Sequence, residues 1–256
     1  MASNHWKREE LLLEMNLYCR IPFGQFHRKN PDVIELAAAI GRTPSSVAMK
    51  LSNLASLDPF HKERGVKGLS GASHADEMIW DEFHSDWETL SVESERLRES
   101  HGLGVNDKSQ REVDEDIDFH GTTEVERQTK VRLAQRFFRQ AVLATYESRC
   151  CVSGITIPSL LVASHILPWS QSPEHRANPR NGLCLSRIHD AAFDTGLIGF
   201  DEDYRLILSK ELANASLNLV LNACFNKYEG QPLNMPDRFR PERRFLDAHL
   251  NTIFKG

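Results

Sequence analysis

Between Cys150 and Leu208 the sequence alternates short β-rich runs with breaks made of Pro, Gly and Asn, and this limits the fold more than any other feature. Ser159–Leu167 is β-rich, carries Ser164-His165-Ile166 and is closed by Pro168-Trp169. A loop holding Pro173, Arg176, Asn178, Pro179 and Arg180 leads into Asn181-Gly182-Leu183-Cys184-Leu185. Ser186 stands where a helix cap belongs. The short helix it starts carries Arg187, His189, Asp190, Phe193 and Asp194, with Gly196 past its end. Leu197–Phe200 and Tyr204–Leu208, split by Asp201-Glu202-Asp203, predict a hairpin. The order is a strand with His, a loop and strand with Asn, then a helix with His.

Four ordered words in this stretch resemble the HNH endonucleases, whose active site is a ββα-metal finger. They are Cys151-Val-Ser-Gly, Ser164-His-Ile-Leu-Pro-Trp, Asn178-Pro-Arg-Asn-Gly-Leu-Cys-Leu and His189-Asp-Ala-Ala-Phe-Asp-Thr-Gly-Leu. The likeness is greatest to the branch associated with restriction and anti-phage defence. It spans roughly residues 122–210 and continues more loosely through Pro241–Phe254. A histidine beside an apolar strand is usually a core residue, and Asn-Gly is usually a turn. The joint order is what carries the resemblance.

Hydrolysis of a phosphodiester needs an activated water, charge stabilisation at the phosphoryl oxygens and help for the leaving oxygen. The resemblance assigns the general base to His165. It gives Asn181 the bracing of the loop and makes His189 a ligand of a divalent ion. Many HNH enzymes place Asp or His directly before the base as another ligand, whereas this chain has Ser164. Asp194, on the same helix end as His189, is expected to supply the missing oxygen. Asp190 is second choice, because i+1 from His189 turns it to another face. Magnesium is the expected ion, with manganese able to substitute. Cys150 and Cys151 are adjacent and Cys184 and Cys224 stand alone, so no structural zinc is expected.

Residues 1–59 predict a helical module. Leu11, Leu12, Met15 and Tyr18 lie at helical spacings in a first helix from Trp6 that Pro22 stops. A second helix is expected from Pro31 to Ile40. Gly41 then permits a left-handed turn, and Thr43-Pro44 caps a third helix to about Leu54. That is a helix-turn-helix layout. On it, Ser45, Ser46, Lys50 and Asn53 are expected to face the major groove of DNA, with Arg42 and Arg28 near phosphates. An ordinary three-helix bundle gives the same pattern. Further on, Val125–Tyr146 predicts a long helix whose basic first half includes Arg132 and Arg136. These two, with Arg187, complete the expected DNA contacts.

The net charge of −5 counts against a nucleic-acid partner until it is mapped along the chain. Residues 60–121 hold 16 acidic and 7 basic side chains, so everything outside them is mildly basic. This middle stretch is expected to be an acidic linker containing one amphipathic helix, marked by Ile79, Trp80, Phe83, Trp87 and Leu90. The expected class is therefore α+β, with a helical module at 1–59, the linker at 60–121 and an HNH nuclease domain at 122–256.

Five sparse cysteines suit reduced thiols in a cytoplasmic protein. No apolar run spans a membrane, since Ile155–Leu167 is broken by Pro, Ser and His. The expected activity is metal-dependent cleavage of double-stranded DNA, in restriction or anti-phage defence. One site per chain favours a homodimer. Two alternatives stay open. One is a non-catalytic DNA-binding regulator with a degenerate finger, which Ser164 favours. The other is a single-strand or RNA nuclease.

Overall fold

Side-chain caps start the N-terminal helices where the sequence places them. In the computed structural model, which describes residues 5–63, 71–104, 122–214 and 218–256, α1 is Arg8–Arg20, α2 Pro31–Ala39 and α3 Pro44–Leu57. Asn30 caps α2 by accepting from the Asp32 N–H, and Thr43 caps α3 by accepting from the Ser46 N–H. Gly41 has φ +68°, which lets the chain reverse between α2 and α3 at no steric cost. A short α4 (Pro59–Glu63), then α5 (His74–Ser85), α6 (Trp87–Ser100) and the long α7 (Thr122–Thr145) follow.

The single amphipathic helix expected over Ile79–Leu90 is two helices. Asp86 breaks the run, and its side chain caps α6 by accepting from the Thr89 N–H. Ile79, Trp80, Phe83, Trp87 and Leu90 are all buried, with α5 packed on α1 and α3 and α6 packed on α1. Much of the acidic stretch is thus core rather than solvated spacer. The part of it from 105 to 121, with Asp114, Asp116 and Asp118, lies outside the described residues.

The chain divides into two compact units, Met1–Ala141 and Val142–Gly256. The first contains a buried ionic cluster. Glu95 is fully buried and bonded by Asn16 at 2.9 Å, Arg20 at 3.1 Å and Arg136 at 2.7 Å. Burial alone would raise its carboxyl, but Arg20, Arg136 and Arg98 together with the Asn16 amide hold it below the ordinary range. Glu14 is also fully buried, yet among the described residues neither of its oxygens has a hydrogen-bond partner, and burial pushes its carboxyl well above the ordinary range.

The second unit has the α+β order that the motif words imply. β1 (Leu161–His165) pairs antiparallel with β2 (Gly182–Ser186), from Leu161 opposite Ser186 to His165 opposite Gly182. α8 (Arg187–Asp194) leaves β2 directly and packs on both strands. β3 (Ile198–Phe200) and β4 (Leu206–Leu208) form the expected hairpin. Three helices complete the unit: α9 (Lys210–Asn214), α10 (Leu219–Cys224) and α11 (Arg243–Thr252). The α11 helix closes the core by stacking His249 on Phe193, with ring centroids 3.7 Å apart. Gly196, at φ +74°, is required for that closure, because a Cβ there would lie 2.0 Å from the Ile253 carbonyl oxygen.

Candidate active site

The loop between β1 and β2 is held shut by one amide. Asn181 is buried, and its Oδ1 accepts from the Leu167 N–H at 2.8 Å. Its Nδ2 donates to the carbonyls of Leu167 and His175, each at 3.3 Å. No other side chain of this size offers an acceptor and two donors in one plane. The closed loop brings the Arg176 carbonyl over the end of β1, where His165 Nε2 meets it at 2.9 Å.

That contact settles the tautomer of His165. A carbonyl only accepts, so Nε2 carries the proton and Nδ1 is the basic nitrogen. Burial pushes the His165 imidazole down to about 4, and the Arg176 carbonyl only partly offsets this. The ring is therefore neutral near pH 7, as a proton acceptor must be. Trp169 meets it edge-on at 5.3 Å. Arg176 ties this wall together, since its Nε donates to the Trp169 carbonyl at 2.7 Å and its guanidinium lies 5.2 Å over the Trp169 ring.

His189, expected as a metal ligand, makes hydrogen bonds within the protein through both ring nitrogens. It lies on the inner side of α8, buried beside Ala192 and Phe193. The Ser186 hydroxyl donates to Nδ1 at 2.6 Å, while Nε2 donates to the Cys224 carbonyl at 2.9 Å. Both nitrogens are thus committed within the protein. Cys150 Sγ is 3.9 Å from the same Nδ1 and also receives the Ser153 and Ser186 N–H groups at 3.4 and 3.2 Å. Burial would raise this thiol, but hydrogen bonds to the sulfur, those of Ser153 among them, bring it down to about 6. Neither the sulfur nor the Cys224 carbonyl was legible as a partner of His189, because both come from distant parts of the sequence.

The outer side of α8 is acidic. Asp190 and Asp194 are one turn apart and lie on one side of the helix. Burial, and then the Asp190 charge, pushes the Asp194 carboxyl up to about 6. Burial raises the Asp190 carboxyl, and the hydroxyl of the buried Ser164, bonded to it across from α8, opposes that rise. The oxygen donors of Asp190 and Asp194 are of the chemical type that suits a hard divalent ion of the kind the resemblance implies. Among the described residues no three His, Cys, Asp or Glu side chains converge, so such an ion would complete its shell with water and phosphate oxygens.

The residues expected to read DNA are scattered. Arg42 bonds Glu10 and the His5 carbonyl, both at 2.9 Å, and lies 4.7 Å over the Trp6 ring. Lys50 forms an ion pair with the fully buried Asp76, and Asn53 is only 7% exposed. Ser46 is half-buried, receiving the Thr43 cap through its backbone N–H. The exposed side of α3 instead carries Ser45 and Met49. On α7, Arg136 pairs with Glu95 and Glu99, and Arg132 is half-buried. Arg187 is exposed at the start of α8, with its Nε donating to the Ser159 carbonyl at 3.1 Å.

Residues 150–201 match the family model of the HNH endonucleases. No curated protein matches the chain. Among the described residues, no helix is long and apolar enough to cross a membrane.

Proposed function

We propose, from the premise that residues 150–201 are an HNH endonuclease domain, that this protein is a metal-dependent DNA endonuclease. The observation that carries the reading is the coincidence of that match with His165, whose proton sits on Nε2 and whose basic nitrogen is Nδ1. In the reaction, His165 Nδ1 takes a proton from the attacking water as its oxygen bonds to phosphorus. The bond from phosphorus to the 3′ oxygen breaks, and solvent water reprotonates that oxygen, giving 5′-phosphate and 3′-hydroxyl ends. Asp190 and Asp194 would hold a divalent ion, magnesium or manganese, which when bound would supply charge neutralisation at the scissile phosphate. Asn181 fixes the loop whose Arg176 carbonyl orients the base. DNA docking falls to the α2–α3 unit and to Arg187.

In this reading the substrate is duplex DNA, and the setting is restriction or anti-phage defence in the cytoplasm. A homodimer supplies the second site that a double-strand break requires. Nicking of supercoiled plasmid by the full chain with magnesium, abolished by a chelator and absent from single-stranded DNA and RNA, is the expected outcome. Preference for phage DNA carrying or lacking modified bases separates the defence roles. Plasmid binding with no cleavage in magnesium or manganese would overturn the enzyme reading and leave a DNA-binding regulator.

A further inference from the structure

We infer that the side chains of Trp169 and Arg176 are positioning residues that hold His165 on the one tautomer able to take a proton from the attacking water. The inference deepens the nuclease reading above and rests on it. Four contacts close into a ring around the base. His165 Nε2 donates to the Arg176 carbonyl at 2.9 Å. The side chain of the same arginine turns back, so that its Nε donates to the Trp169 carbonyl at 2.7 Å. Its guanidinium carbon lies 5.2 Å from the centre of the Trp169 ring. That ring then meets the imidazole edge-on at 5.3 Å, with 86° between the planes. Each of the three side chains or its backbone thus touches the other two.

The carbonyl needs this support because of where it sits. It belongs to a loop in which Ser170, Gln171, Pro173 and Glu174 are exposed. The Asn181 amide fastens the loop at Leu167 and at His175. Arg176 Nε adds a bond that spans seven residues, back to Trp169, and fixes the peptide whose carbonyl faces the base. Which imidazole nitrogen is basic is set by the hydrogen bond the other makes. If the carbonyl drifts, the proton can move to Nδ1 or the ring can turn over, and either change removes the acceptor. The edge-on indole opposes the second change, since a turning ring must displace a packed neighbour. Arginine suits its position, because a planar guanidinium can donate in one direction and stack its face on an aromatic ring. Both side chains act through His165 rather than on the substrate, so their loss should lower kcat and leave KM.

The test is the nitrogen NMR spectrum of the full-length protein with isotope-labelled histidines at pH 8, run beside plasmid nicking and a thermal melt. The His165 signals are assigned by their loss in His165→Gln. Wild type should show one tautomer, with a pyrrole-like Nε2 and a pyridine-like Nδ1. In Arg176→Met and Trp169→Leu, which keep apolar bulk, the two signals should move toward each other. In both, kcat should fall about tenfold to a hundredfold, the scale of a misplaced group, with KM within threefold. Trp169→Phe, which keeps an aromatic edge, should restore the single tautomer and bring kcat within threefold of wild type. Wild-type signals and kcat in either folded variant overturn the role of that residue, and if one variant fails to fold the other decides. Averaged signals in a wild-type protein that nicks DNA overturn the positioning role alone. A single tautomer in a wild-type protein that does not nick overturns the nuclease reading instead.

Discussion

The helix-turn-helix of α2 and α3 and the strand–strand–helix of β1, β2 and α8 are both written plainly in the sequence, but they differ in what their side chains do. In the second, His165 and Asn181 stand at the strand end and in the loop where the motif words put them, with partners that make chemical sense. In the first, the caps and the Gly41 turn form as expected, yet the cations meant for DNA are used internally, Arg42 on Glu10 and Lys50 on Asp76. Caps and turns specify where a helix begins and ends. They do not specify which side of it meets solvent. A loop closed by one amide, in contrast, specifies the position of everything it joins.

The largest expected effect breaks or upholds the better-placed region. His165→Ala should lower the cleavage rate by roughly two to four orders of magnitude, the usual scale for a lost general base. Manganese affinity and DNA affinity should stay near wild type. Because burial holds His165 at about 4, wild-type kcat/KM at saturating metal should stay level as pH falls from 8 to about 5 and decline only below that. An acid limb centred near the ordinary histidine value would mean that a different group, or an exposed ring, accepts the proton. Nicking by His165→Ala within tenfold of wild type would remove it from the mechanism.

The next effect concerns stability in the other region. Lys50→Met leaves the fully buried Asp76 carboxylate without its counter-ion, and breaking such a pair costs roughly 3–5 kcal/mol. The N-terminal unit should therefore unfold at clearly lower urea concentration. DNA affinity of the folded variant, by contrast, should fall less than threefold. Met49→Glu, on the exposed side of α3, should do the opposite, leaving stability near wild type and repelling the phosphate backbone. If Lys50→Met lowers affinity tenfold and flattens the salt dependence by about one unit, Lys50 touches phosphate after all.

The sequence did contain the signal that separates these faces. Val47, Leu51 and Leu54 are the apolar stripe of α3 and are all buried. Lys50 is i+3 from Val47 and i−4 from Leu54, so it belongs to the flank of that stripe. Ser46 and Asn53 lie on the same flank, one turn either side. The groove-facing set read from helix spacing therefore coincides, at these three residues, with the margin of a buried stripe. On α8 the same arithmetic held the answer for Asp190, whose turn away from His189 is what aims it at Ser164. The commitments of His189 to Ser186 and to the Cys224 carbonyl were not readable, because they depend on how a segment 35 residues away returns to the helix. The match of strand order, register and loop was legible because short strands bounded by Pro and Asn-Gly leave few ways to pair.

The smallest effect sharpens the contrast through pH. Glu14 in the N-terminal unit and His165 in the C-terminal unit are both shifted by burial toward the neutral form, but they have opposite signs. Glu14 has its carboxyl raised well above 4.5, so the native state keeps a proton that the unfolded chain releases. Its contribution to stability is therefore lost as pH rises above about 4.5, with a slope of at most about 1.4 kcal/mol per pH unit for one proton. His165 is lowered from 6.5 to about 4, so the unfolded chain binds the extra proton. Its contribution is complete above 6.5 and is lost as pH falls toward 4. Urea unfolding of Trp169→Phe isolates the first case, because Trp6, Trp80 and Trp87 all belong to the N-terminal unit. In that background Glu14→Gln should raise the midpoint at pH 8 and leave it nearly unchanged at pH 4, since at the lower pH both states already carry the proton. Equal stabilisation at both values would mean that the gain comes from the new amide's hydrogen bonds. No gain at pH 8 would mean that Lys50, whose charge favours the ionised form, already compensates a buried carboxylate.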